Sequence, residues 1–180
     1  MSGEAADWPL IVRFVDVARR TPAEPLERHI DLNGALRQEV AKALGLERLN
    51  RLEADVRLSA WHDGMRVEAD WRASVTQICG VSLDPFDSEL EGEFAVDVVP
   101  HGSLHAPDQS DVEIVLDLDA DDPPDVVEGD AVDAGAYVVE HLALEIDPFP
   151  RKPGAEFQPP EAEPERSPFA VLRAIKPRQD

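Results

Sequence analysis

The chain has 180 residues and carries 38 Asp and Glu against 17 Lys and Arg, a net charge of −21. That length fits one domain with a real core, and 43% apolar residues exclude a chain that is disordered throughout. The single cysteine excludes an intramolecular disulfide framework and fits a reducing, cytoplasmic compartment.

The opening "MSGEAADWPLIVRFVDVARR" has no basic leader, and its apolar run is cut by Arg13 and Asp16. It reads as a strand over 10–17 and not as a signal peptide; nowhere does an apolar run approach a membrane span. "ALRQEVAKALGL" predicts a helix over 35–46, because Leu36, Val40, Ala43 and Leu44 recur at spacings of three and four. Asn33 is its expected N-cap and Gly45 its stop.

A long antiparallel hairpin follows. Leu52, Ala54, Val56, Leu58 and Ala60 alternate with polar residues, as do Met65, Val67, Ala69, Trp71, Ala73 and Val75. Period two on both sides of Asp63-Gly64 gives one buried face and one outer face of mixed charge. The second strand runs into Cys79, with Ser82 three residues on and a turn expected at Asp84-Pro85. Two further alternating strands follow, over 88–99 with Leu90, Phe94, Val96 and Val98 inward, and over 111–119. An acidic loop leads to a helix over 132–146 with Asp133 as N-cap. The expected domains are a single α+β domain over 1–150, a Pro-rich acidic linker over 151–166, and a C-terminal helical element over 167–180 started by Ser167-Pro168. The expected fold is a mostly antiparallel, partly closed sheet of about five strands with two helices and a tethered short C-terminal helix.

The charge is not spread evenly. Residues 73–150 hold 20 of the 38 acids and no Lys or Arg. Such a block repels nucleic-acid phosphate and attracts basic surfaces, although acidic charge also serves solubility alone.

No constellation of catalytic residues stands out. Cys79 with His101 and His105 lacks a fourth ligand in any zinc spacing. Asp117, Asp119, Asp121 and Glu128 mimic calcium-loop positions, but Asp122, Pro123 and Pro124 break that loop. Acidic surroundings should hold Cys79 as a thiol. His141 reads as a surface histidine of its helix. Ser103 and Ser110 have no nucleophile-elbow context, and no Gly-rich phosphate loop is present. No cofactor is expected and the chain reads as non-enzymatic.

Three stretches in order, "VTQICGVSLDPF", "VDAGAYVVEHLALEIDPFPRKPGAEF" and "SPFAVLRAIK", resemble the YceD family of large ribosomal RNA subunit accumulation proteins, most closely its alphaproteobacterial branch. The motif positions are Cys79, Ser82, Phe86 and Asp133. The family's second cysteine is replaced by Ser82, and the further cysteines that some members carry after the helix are missing, so the resemblance implies no metal here. It also implies a role in accumulation or processing of large-subunit ribosomal RNA. Two partner classes follow. An acidic face could engage a basic ribosomal protein or processing factor through Asp117, Asp119, Asp121 and Asp122, with Phe169 and Leu172 as a second docking element unless that helix packs on its own domain. Alternatively the charge-balanced half of the chain could bind ribosomal RNA directly, using Arg37, Lys42, Arg48, Arg51, Arg57, Arg66 and Arg72, of which Arg57, Arg66 and Arg72 share the outward face of the hairpin.

Overall fold

The structure is a computed structural model, which describes residues 9–21, 24–107 and 122–157. In chain order, the described elements are β1 (Ile11–Arg13), α1 (Phe14–Ala18), β2 (Leu26–Asp31), α2 (Gly34–Ala43), β3 (Arg48–Trp61), β4 (Gly64–Ile78), β5 (Pro85–Pro100), β6 (Asp125–Val127), β7 (Ala131–Asp133) and α3 (Ala134–Glu145). The main sheet runs β2-β3-β4-β5-β6; only its last pairing, β5 with β6, is parallel. A second small sheet pairs β1 with β7. The mostly antiparallel α+β fold expected from the sequence is therefore present. The expected strand over 111–119 and the expected C-terminal helical element over 167–180 lie wholly outside the described residues.

The hairpin of β3 and β4 is the spine. Its alternation buries Leu52, Ala54, Val56 and Leu58 from one strand and Met65, Val67, Ala69, Trp71, Ala73 and Val75 from the other. Ala60, expected inward, is exposed near the hairpin tip. The turn itself is His62-Asp63, one residue earlier than the sequence suggested, with Trp61 paired to Gly64. Gly64 is the first residue of β4, and the Val98 carbonyl oxygen of β5 occupies the space that a Cβ there would need. His62 supplies the positive φ of 50° that a two-residue hairpin turn demands.

Each long helix is started by a side chain that accepts from the first free N–H groups. Asn33 Oδ1 accepts from Ala35 N at 3.0 Å and Leu36 N at 3.2 Å. Asp133 Oδ1 does the same for Gly135 N and Ala136 N, at 3.0 and 3.2 Å; such a cap contributes about 1 kcal/mol. The helices then lay Val40 and Ala41 of α2, and Val138 and Leu142 of α3, on the inner face of the sheet. The segment 10–17 is a correction. It is extended only to Arg13, then turns helical, so that Leu10 and Val12 are buried by alternation but Phe14 and Val17 by helical spacing. The Arg13 guanidinium bonds Asp16 across that helical turn.

Trp71 sets the middle of the sheet. It stands opposite Gly92 of β5, and a Cβ on that glycine would come within 2.7 Å of the indole ring. The ring thus fills the place of the missing side chain.

Candidate functional site

Cys79 ends β4 in a tight turn, in which Cys79 N donates to Asp84 O and Leu83 N to Cys79 O, both at 2.9 Å. The turn occupies 79–84, and Pro85, expected within it, already pairs with Ile78 as the first residue of β5. The Cys79 side chain is fully buried. Its Sγ accepts from the backbone N–H of Val81 and Ser82 at 3.4 Å and of Lys152 at 3.3 Å. These donors, Ser82 first, pull the thiol from 9.0 down to about 6, against the opposing effect of burial. The expectation that acidic surroundings keep it protonated is thereby corrected: partial positive N–H groups in contact outweigh carboxylates farther off. Ser82 Oγ accepts from Asp84 N at 3.3 Å. The segment after α3 closes over the turn, with Gly80 N bonded to Pro150 O at 2.9 Å, Gln77 Nε2 to Asp147 O at 3.0 Å and Lys152 Nζ 3.6 Å from Asp84. Of the other motif positions, Phe86 is half-buried in β5 beside Gln77, and Asp133 caps α3.

His105 and His141 sit in separate contacts. His105 stacks on His62 with ring centroids 3.8 Å apart, and Trp61 meets His62 edge-on at 4.3 Å. His141 Nδ1 lies 2.8 Å from Tyr137 O, and its ring stacks on Phe94 of β5 at 3.9 Å. It is part of the helix–sheet contact. The Tyr137 hydroxyl donates to Asp125 at 2.8 Å; burial, aided by that carboxylate, pushes its phenol well above the usual range. Among the described residues no three His, Cys, Asp or Glu converge in a way that could hold a metal ion, and no helix is long and apolar enough to cross a membrane.

The outer face of the sheet is where charge gathers. Arg57, Arg66 and Arg72 do share that face, but each meets a carboxylate. Arg66 Nε and Nη2 bond both oxygens of Asp97 at 2.7 Å. Arg57 lies 3.8 Å from Glu27, and Arg72 3.7 Å from Glu91. Arg51 meets Glu89 at 3.1 Å. At the centre of the face the register places Asp55 opposite Asp70, and Asp70 opposite Glu93. Three carboxylates from three adjacent strands therefore form one cross-strand row. His29 of β2 ends the row, with Nδ1 2.8 Å from Asp55. Glu53, Arg72 and Glu91 form the neighbouring row. Together the two rows line an open depression of about 440 Å³.

The acidic residues singled out from the sequence are other ones. Asp117, Asp119, Asp121, Phe169 and Leu172 lie outside the described residues, and Asp122 is exposed at the start of the segment leading into β6. The row on the hairpin was readable in principle: a two-residue turn at His62-Asp63 pairs position 55 with 70. The contribution of β2 had no such signal, because "LERHID" alternates too weakly to announce a strand.

The YceD family model, described as large ribosomal RNA subunit accumulation protein, matches residues 67–176. No curated protein and no solved structure is significantly similar to the chain. The match begins within β4, runs through the Cys79 turn, β5 and α3, and spans more than half of the chain. The chain therefore belongs to the YceD family, whose role is that of an accessory in ribosome biogenesis.

Proposed function

We propose that this chain is a non-enzymatic cytoplasmic factor that supports accumulation or processing of large-subunit ribosomal RNA by holding a basic ribosomal protein or processing factor on its acidic outer face. The observation that carries the reading is the row of Asp55, Asp70 and Glu93. Like charges directly opposite in a sheet destabilise it, so a basic ligand that neutralises them gains what the free protein loses. In this reading Asp117, Asp119, Asp121 and Asp122 add carboxylates for the same partner, and Phe169 and Leu172 form a second docking element. Direct ribosomal RNA binding through Arg57, Arg66 and Arg72 is the weaker alternative, since each guanidinium already faces a carboxylate. The "DPFPRKPGAEF" segment further supports placement in the alphaproteobacterial branch.

The test is affinity capture of the tagged chain with and without nuclease, repeated with Asp55→Asn/Asp70→Asn/Glu93→Gln. A basic ribosomal protein should stay bound after nuclease, leave as salt rises, and be lost from the triple variant. Retention that depends wholly on intact RNA would overturn the reading.

A further inference from the structure

Three cations without an ion-pair partner lie together where α2 meets the first residues of β3. A groove of about 620 Å³ runs there, lined by Arg37, Lys42 and Arg48 together with Gln38, Asn50 and Glu47. Lys42 and Arg48 are exposed and Arg37 is half-buried. Among the described residues none of the three cations forms an ion pair, in contrast to Arg51, Arg57, Arg66 and Arg72 on the adjoining sheet face. The one carboxylate among the named lining residues is Glu47; Asn50 turns its amide toward Thr76 at 3.0 Å and Asp87 at 3.5 Å. The net charge of −21 does not erase this patch, because fields of exposed charges decay over roughly 8 Å at physiological salt.

We propose that this groove takes the phosphate backbone of RNA. Guanidinium and ammonium groups free of carboxylates are what neutralise phosphate and release its counterions. The lining includes no aromatic side chain, so bases have nothing to stack on and recognition is independent of sequence. A site for RNA here is separate from the acidic face. One molecule then presents a basic groove to RNA and a carboxylate row to a basic protein, a division of labour that fits a family named for ribosomal RNA accumulation.

The experiment is fluorescence anisotropy of the full chain with labelled 20-mers of uridine and of adenosine, against salt, with a 20-mer of glutamate as the competing polyanion. The two RNAs should bind alike, and the glutamate peptide far more weakly. Arg37→Gln/Lys42→Gln/Arg48→Gln should weaken RNA binding by about tenfold or more and flatten the log–log salt slope by roughly 2, at about 0.7 per lost phosphate contact. The double variant Lys42→Gln/Arg48→Gln, confined to exposed side chains, should give an intermediate loss with an unchanged circular dichroism spectrum. The proposal is overturned if wild-type chain binds neither RNA. It is equally overturned if the groove variants bind as wild type, if the glutamate peptide binds as tightly, or if Arg57→Gln/Arg66→Gln/Arg72→Gln removes binding instead. None of these results touches the nuclease-resistant capture that tests the acidic face.

Discussion

Cys79 shows how three backbone donors redefine a side chain. With Val81, Ser82 and Lys152 N–H groups on its sulfur, the thiol titrates near 6 and not near 9.0. Because the folded value lies below the unfolded one, the thiolate stabilises the fold fully above the unfolded value and loses that contribution as pH falls toward 6. The thermal midpoint should therefore drop between pH 9 and pH 6 by more in the wild type than in Cys79→Ser, whose hydroxyl does not ionise. Parallel slopes for the two proteins in a calorimetric pH series would refute this. From sequence, the C-x-x-S spacing marked the turn, but the donor from Lys152 is 73 residues away. No local pattern announces it.

At the scale of elements, the β4–β5 pairing rests on complementary sizes. Trp71 and Gly92 are read separately in the sequence as a buried aromatic and a weak strand residue. In register they are one unit, with the indole over the glycine. Gly92→Ala should cost about 1–3 kcal/mol through overpacking, measured by urea denaturation; a change smaller than the error of the midpoint would show that the ring moves aside freely. The caps Asn33 and Asp133 were legible because capping is local chemistry. The helical turn of α1 was not, since Leu10, Val12 and Phe14 satisfy strand alternation up to the residue where Val17 goes over to helical spacing.

For the whole molecule, the distribution of charge separates two surfaces. The outer sheet face keeps Asp55, Asp70 and Glu93 in line, while the groove at α2 keeps Arg37, Lys42 and Arg48 out of ion pairs. If the row exists for a ligand, relieving it should help the free protein. Asp70→Asn is expected to raise stability by about 0.2–1 kcal/mol while weakening capture of the basic partner. A variant that loses stability and capture together would point to a structural role for Asp70.

The sequence by itself determined the hairpin, the inward residues of its strands, the two capped helices and the family motifs. All of these depend on neighbours within a few positions, where periodicity and capping act. Tertiary structure decided which charges meet. A strip of outward arginines and a surplus of acids were both visible in the chain, yet pairing Arg57 with Glu27, Arg66 with Asp97 and Arg72 with Glu91 depends on strand order and register. Charge has no periodic signature of its own, so only the folded sheet could show which cations are consumed and which remain for a partner.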